Sequence, residues 1–137
     1  MFLANVRAKY QIRGAYAKEL TGSKLLEFFH DINPDSQGVD RVERVISEIS
    51  GMWKLTKVKI SDISFNDECV RGKESQRLVK RYSENRDEMP PVILDEITTY
   101  RNGKFEAGGY EIIDGFHRIA AAKKRGESSV MAYVPVG

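Results

Sequence analysis

The feature that most constrains the fold is a strand, turn, helix and strand pattern over residues 110–133. A short apolar run that ends at Ile113 predicts the first strand. Asp114 is a good N-cap residue, and Gly115 can adopt backbone conformations that other residues avoid. An alanine-rich segment then predicts a helix, which Gly126 is placed to end. Alternating apolar residues predict the second strand, namely Val130, Ala132 and Val134.

The turn itself predicts a site for phosphate. Phe116, His117 and Arg118 fall in the first helical turn, where backbone N–H groups lack partners within the helix. That end of a helix carries partial positive charge and favours anions. The guanidinium of Arg118 suits phosphate oxygens, and His117 can donate or exchange a proton near neutral pH. The alternative is that Asp114 only caps the helix and Arg118 is solvated.

This stretch resembles the nucleotide-binding turn of the ParB/sulfiredoxin superfamily, on the residues Gly115, His117, Arg118 and Gly126 with the alanines between them. The resemblance extends upstream to Pro90-Pro91 and covers roughly residues 55–136. It implies an α+β fold, with a small mixed sheet flanked by helices. It also implies a nucleotide-binding domain over residues 53–137.

Residues 1–52 match nothing in that pattern, and we expect a helical N-terminal extension packed on the domain. Its clearest element is an amphipathic helix from Val39 to Ile49. Ser23 is placed to cap an earlier helix that ends near His30, for which we expect a structural role. The first twenty residues are basic. This pattern indicates either an amphipathic helix with a solvated face or an arm for nucleic acid.

Composition indicates one intracellular domain. The 137 residues are 41% hydrophobic and 31% charged, as in soluble globular proteins. The net charge of +2 gives no overall polycation character. A single cysteine, Cys69, excludes an internal disulfide framework, so we expect a cytoplasmic location and no metal held by a cysteine cluster.

A second helix is predicted from Glu74 to Glu84, with Leu78, Val79 and Tyr82 inward. Arg77 and Arg81 are four residues apart and lie on one face. The resemblance implies that this face turns towards the nucleotide, so both are candidates to bind phosphate or base. The alternative is a solvated basic stripe.

The chain departs from sulfiredoxin at one decisive position. In that family a catalytic cysteine directly precedes the His-Arg pair, whereas Phe116 stands there in this chain. Without a thiol at this position, reduction of a sulfinic acid lacks its nucleophile. Cys69 lies elsewhere in the sequence, so we do not transfer the role to it.

Three activities of the superfamily remain for comparison. The DNA-clamping members bind CTP and need a DNA-reading domain, which we expect to be missing because the sequence ends at Gly137. The small kinases that act on free serine need a carboxylate base, for which Glu68 and Glu74 are candidates. Small plasmid and phage proteins of the Osa type resemble nucleotidases with nuclease activity. The chain resembles this third branch most.

The sequence therefore predicts ATP or CTP binding with Mg²⁺, and hydrolysis in which His117, Arg118 and Glu74 are the catalytic candidates. The phosphate-binding set is Asp114, Gly115, Phe116, His117, Arg118, Arg77 and Arg81. Asp114 would shape the turn and touch a magnesium-bound water, since Mg²⁺ takes few protein ligands. DNA binding or nuclease action is an extension of this hypothesis. The alternative is a regulatory module without catalysis, with a protein partner on the N-terminal helices.

Further strands and turns complete the prediction. Pro90-Pro91 forces an extended entry to a buried strand over Val92–Leu94. Asn102-Gly103 is a strong hairpin signal. Gly108-Gly109 is expected to loosen the chain before the strand that leads into the turn. Trp53 begins another predicted strand and is expected to be a core residue.

Overall fold

The computed structural model describes residues 11–12, 15–32, 39–49, 51–66, 70–85, 89–101 and 103–136. The basic residues before position 11, Glu68 and Cys69 lie outside these ranges. The amphipathic helix considered for the first twenty residues is wrong for the part that is described, because Gln11–Ile12, Ala15–Tyr16 and Glu19–Thr21 are strands. The described helices are α1 Gly22–Ile32, α2 Val39–Glu48, α3 Lys73–Glu84 and α4 Phe116–Lys124. The strands are β1 Gln11–Ile12, β2 Ala15–Tyr16, β3 Glu19–Thr21, β4 Met52–Lys59, β5 Ile63–Ser64, β6 Val92–Arg101, β7 Lys104–Asp114 and β8 Ser129–Pro135.

Six strands form one mixed sheet in the order β3-β4-β8-β6-β7-β5. The β3–β4, β4–β8 and β6–β7 pairs are antiparallel. The β6–β8 and β5–β7 pairs are parallel. Together with the helices, this sheet confirms the predicted α+β fold class.

The sheet has a hydrophobic core on each face. On one face α1 and α2 pack on Trp53, Ile93 and Tyr133, all of which are fully buried. On the other face α3 and α4 pack on residues that alternate with these along the same strands, such as Val92 and Ala132. The expected core position of Trp53 is therefore confirmed. Because neighbouring residues of one strand supply both cores, the sheet holds the two helical layers in a fixed relation.

The N-terminal segment also contributes to the sheet. Strand β3 pairs with β4 at its edge, and α1 follows directly. The Thr21 hydroxyl accepts a bond from Lys24 N–H at 3.2 Å, so the prediction that Ser23 caps this helix is wrong. His30 Nε2 lies 2.9 Å from Glu43 Oε1 and joins α1 to α2, a partner that the sequence did not indicate.

Helix α3 buries a narrower face than predicted. Val79 and Tyr82 are buried, but Leu78 is 36% exposed, so the inward orientation predicted for Leu78 is wrong. Positions 75, 79 and 82 follow the i, i+4, i+7 spacing of one helical face. Leu78 lies at the edge of that face, and Val79 and Tyr82 are the described α3 side chains that belong to the buried cluster with Ala121 of α4.

Strands β6 and β7 form the predicted hairpin. Arg101 pairs with Lys104, and Gly103 just before Lys104 has a positive φ of 77°. Gly108-Gly109 lies between the Thr98–Ala107 and Glu96–Tyr110 pairs, where the register of β7 against β6 shifts by one residue, so the expected loosening takes the form of an irregularity within β7, which continues to Asp114. A Cβ on Gly109 would lie 2.5 Å from the Asp62 carbonyl oxygen, and this glycine therefore lets β7 approach the chain before β5.

Candidate phosphate-binding site

The turn after β7 requires a glycine at position 115. Gly115 has a φ of 123°, and a Cβ there would lie 2.5 Å from Val92 Cγ1. The special backbone predicted for this position is confirmed. Gly115 itself is the N-cap of α4, so the N-cap position predicted for Asp114 is wrong. Asp114 is the last residue of β7.

Arg118 holds this turn against the start of β6. Its side chain is only 3% exposed, and Nη1 donates to the carbonyl oxygens of Pro90, at 3.0 Å, and Pro91. Nη2 donates to Asp114 Oδ2 at 2.8 Å. A phosphate contact of Arg118, as predicted, would require it to exchange these partners. The arrangement instead makes Arg118 a positioning residue that ties the turn, α4 and the Pro90-Pro91 segment together.

His117 meets a residue that the sequence analysis missed. Its Nε2 lies 3.0 Å from the hydroxyl oxygen of Ser75, in the first turn of α3. The signal was present in the sequence, because Ser75 is a polar residue at the i position of the i, i+4, i+7 face that Val79 and Tyr82 complete. A small hydroxyl at that position leaves room for a polar contact between two packed helices.

The contact brings the N-termini of α3 and α4 together. The N-cap of α3 is Gly72, and that of α4 is Gly115, so neither N-cap residue has a side chain to cap its helix. The first helical bonds run from Gln76 N–H to Gly72 O and from Ile119 N–H to Gly115 O. The N–H groups that precede them in each first turn have no intrahelical acceptor. Positive partial charge from both helices therefore converges near Ser75 and His117.

The other candidates occupy different positions. Phe116 is half-buried and packs in the core beneath α3 and α4, beside Phe65 and Met89. Arg77 and Arg81 are exposed, and at 3.6 residues per turn they lie roughly half a turn away from the Ser75 face of α3. The structure therefore brings Asp114 to Arg118 together with Ser75, and it does not bring Arg77 and Arg81 to the turn. Glu74 is exposed in the first turn of α3, next to Ser75.

The C-terminal end of α4 confirms the predicted role of Gly126. This residue has a φ of 78°, and its N–H donates to the Lys123 carbonyl. Glu127 N–H donates to the Ala122 carbonyl, which completes a Schellman motif. The helix is thereby fixed at both ends by glycines, each with a positive φ.

The environment of His117 lowers its pKa from the ordinary value of 6.5. Burial is the main cause, because it disfavours the charged ring, and the Arg118 guanidinium acts in the same direction. The carboxylate of Asp114 opposes them and raises the pKa. At neutral pH the ring is therefore neutral, so one nitrogen can accept a proton or a hydrogen bond.

This pKa shift makes a testable prediction for stability. Between the lowered folded-state pKa and 6.5, the unfolded chain binds a proton at His117 that the folded chain does not. The stability contributed by neutral His117 is therefore complete above pH 6.5 and is lost as the pH falls through that window. Urea unfolding from pH 7.5 to 5 should show this loss, and the His117→Gln variant should show a smaller one. Ring-proton NMR should give His117 a pKa below 6.5. A pKa above 6.5 would contradict the assigned environment.

A concave surface of the described residues lies elsewhere. It is a groove of about 700 Å³ lined by Tyr16, Lys57, Pro90, Pro91 and residues 125–131, and the turn from Asp114 to Arg118 is not part of its wall.

Within the described ranges, no group of three or more His, Cys, Asp or Glu side chains could hold a metal ion. No described helix is long and apolar enough to cross a membrane.

Comparison with known proteins gives a likeness at the level of fold. No protein-family model matches the chain, and no curated protein matches it. The structure is similar to the crystal structure of sulfiredoxin from Arabidopsis thaliana, with a TM-score of 0.45 and 19% sequence identity. The match covers 61% of this chain and 85% of that chain. This likeness concerns the fold alone.

Proposed function

We propose that this protein binds the phosphates of a nucleotide, ATP or CTP with Mg²⁺, between the N-termini of α3 and α4. The observation that carries the proposal is the meeting of these two helix starts, each with a glycine at its N-cap, at the Ser75–His117 contact. N–H groups without an intrahelical acceptor and helix dipoles favour anions, and two helix N-termini at one place add their effects. The Ser75 hydroxyl and the His117 ring supply side-chain hydrogen bonds at the same place.

The arrangement also supports a rigid binding site. Arg118 anchors the α4 start to Pro90, Pro91 and Asp114, so the N–H groups after Gly115 keep one orientation. A site whose donors are already fixed loses little entropy on binding. In this proposal Arg118 acts through the turn, and the phosphate contacts come from the backbone, His117 and Ser75.

Hydrolysis is the catalytic form of the proposal. A neutral His117 can take a proton from an attacking water, and Glu74 is an exposed carboxylate in the same first turn as Ser75. When bound, Mg²⁺ supplies charge stabilisation to the phosphate oxygens. A Mg²⁺ site needs few protein ligands, because Mg²⁺ keeps several waters and takes only one or two carboxylates. Glu74 has the oxygen chemistry for this role, whereas one oxygen of Asp114 already accepts from Arg118.

A non-catalytic nucleotide sensor is the second candidate, and one observation favours it. Arg118, the cation best suited to stabilise a transferring phosphoryl group, is engaged with Pro90, Pro91 and Asp114 inside the fold. A sensor would bind the nucleotide and release little phosphate, whereas an enzyme would release phosphate continuously. A salt-dependent gel shift would detect the further extension to DNA, for which exposed Arg77 and Arg81 are the described candidates.

A pair of substitutions at Gly72 tests the site without disturbing the core. A Cβ on Gly72 meets nothing within 4 Å, and its φ of −63° suits any residue. Gly72→Asp should cap α3 and raise its stability by about a few tenths of a kcal/mol. The same carboxylate should occupy the N–H groups and repel phosphate, which lowers nucleotide affinity by about tenfold. Gly72→Ala is the matched control and should bind as the wild type does.

Calorimetric titration of ATP and CTP with Mg²⁺ measures these effects. We expect one of the two nucleotides to bind, and Ser75→Ala and His117→Ala each to weaken it by roughly three- to tenfold. Arg77→Ala, on the far side of α3, should leave affinity unchanged. Equal affinity in the wild type, Gly72→Asp and His117→Ala would rule out this location for the phosphates. Absence of binding to the folded wild type would overturn the function itself.

A further inference from the structure

The groove of about 700 Å³ lies beside the start of β8, where among the described residues β8 has a partner strand on one side only. Its wall includes Ser129 and Met131 at the start of β8, and Met89 to Val92 at the start of β6. The volume lies within the range of about 300–1,000 Å³ that is typical of ligand sites. The groove is separate from the proposed phosphate site, since the wall does not include Ser75 or His117.

Strand β8 directs part of its backbone into this groove. Ile60 N–H donates to the Ser128 carbonyl at 2.9 Å, so Ser128 faces the β4 side. Consecutive residues of a strand direct their backbone groups to alternate sides, so every second residue from Ser128 also faces β4. The hydrogen bond of Leu55 is consistent with this register. Leu55 lies opposite Tyr133, and its N–H donates to the Lys18 carbonyl, on the side away from β8. The backbone groups that face away from β4 are those of Ser129, Met131 and Tyr133.

Strand β6 starts too late to cover this flank of β8. Its first residue, Val92, is opposite Ala132, three positions after β8 begins at Ser129. The preceding Pro90 and Pro91 have no N–H groups, and their carbonyl oxygens accept from Arg118. Among the residues that the structure describes, no strand pairs with β8 at Ser129 on this side. A short stretch of strand backbone is thus presented to the groove.

The side chains around this backbone indicate the chemistry of its occupant. Lys57 and Lys59 are both exposed, lie two residues apart on one side of β4, and are opposite Met131 and Ser129 respectively. Met131 is 44% exposed and offers an apolar surface between them and the groove. Arg125 is a further cation, and its Nη2 forms an ion pair with Glu127 Oε2 at 2.7 Å. The charge balance of the groove and its rim is positive.

We propose that this groove binds a short extended peptide of a protein partner, which adds to β8 beside Ser129 and Met131. The peptide would carry Asp or Glu residues towards Lys57 and Lys59 and an apolar residue on Met131. Addition of a strand to exposed backbone is a common mode of peptide recognition, in which main-chain bonds give affinity and alternate side chains give specificity. Lysines on the strand beside the exposed backbone oppose pairing between copies of the chain while they attract an acidic segment.

A displayed library of random heptapeptides, selected on the purified full chain, tests this inference. We expect enriched peptides to alternate acidic and apolar residues, and the best of them, once synthesised, to bind more weakly as salt increases. Ser129→Pro removes the N–H that the peptide would use and should weaken binding by about fivefold or more, whereas Ser129→Ala keeps the N–H and should not. Proline is tolerated at the first position of a strand.

Charge variants give the second arm of the test. Lys57→Glu should weaken the peptide by about tenfold, and Arg77→Glu, an equal change outside the groove, should have no effect. If circular dichroism shows that Ser129→Pro does not fold, a series of peptides replaces this variant, each methylated at one backbone nitrogen. Methylation should then weaken binding at every second amide. Equal affinity for Ser129→Pro and Ser129→Ala would overturn the inference. So would selection of basic peptides, or displacement of the peptide by a single-stranded oligonucleotide.

Discussion

Replacing Arg118 with alanine should lower the free energy of unfolding by roughly 3–5 kcal/mol, because it removes one partner of a buried ion pair. The guanidinium is 3% exposed and donates to Asp114, Pro90 and Pro91. Its loss leaves a carboxylate and two carbonyl oxygens without this donor, and a cavity beside them. Urea unfolding of the wild type and Arg118→Ala at pH 7.5 measures the difference.

Two further variants separate the causes. Arg118→Met fills much of the volume without charge, and Asp114→Asn removes the opposing charge. The double variant should be more stable than the sum of the single effects predicts, by about 0.5–3 kcal/mol, because the two side chains interact directly. Arg77→Ala, an exposed arginine on α3, should stay within about 0.5 kcal/mol of the wild type. A similarly small effect for Arg118→Ala would contradict its place in the core.

This result changes how Arg118 variants are interpreted in binding experiments. Loss of nucleotide affinity in Arg118→Ala would report a displaced turn as readily as a lost phosphate contact. Ser75 and Gly72 are better positions, since neither holds the core together. Arg118→Lys is also informative: lysine keeps the charge but lacks the planar fork that reaches the proline carbonyls and Asp114 together.

The second large effect is expected for Gly115→Ala, which should cost roughly 2–5 kcal/mol from backbone strain and overpacking together. The φ of 123° is one that side chains rarely adopt. The new methyl group would also lie 2.5 Å from Val92 Cγ1 and 3.3 Å from Arg118 Nη2. It would therefore push on both the core and the buried ion pair. Thermal and urea unfolding measure the loss.

Gly126→Ala is the matched control, because it separates strain from crowding. Gly126 also ends α4 with a positive φ, of 78°, but nothing lies within 4 Å of a Cβ there. Only the backbone term of about 1–2 kcal/mol remains. Val92→Ala should partly relieve Gly115→Ala, since it removes the contacted Cγ1 atom. An equal decrease in the free energy of unfolding for Gly115→Ala and Gly126→Ala would show that the contact with Val92 does not contribute to the destabilisation.

The strand, turn and helix around Gly115 could be predicted because their signals are local. Glycines at positions 115 and 126, alanines between them and alternating apolar residues each act through backbone preferences within a few residues. The hairpin at Asn102-Gly103 was predictable for the same reason. The roles of Asp114, Leu78 and Ser23 were predicted wrongly, because each depends on a competing partner. Arg118 binds one oxygen of Asp114 while Gly115 takes the N-cap position, Thr21 caps α1, and Val79 and Tyr82 supply the α3 part of the buried cluster with α4.

The sequence by itself therefore determined the fold class, the position of the turn and the need for glycine at its centre, since these follow from local backbone energetics and hydrophobic periodicity. The tertiary structure decided which side chains meet there. It turned Arg118 inward to Pro90 and Pro91, a separation of 27 residues or more, and brought Ser75 to His117 across 42 residues. Such contacts depend on how helices and strands pack on a shared sheet, and no local pattern in the sequence specifies that packing.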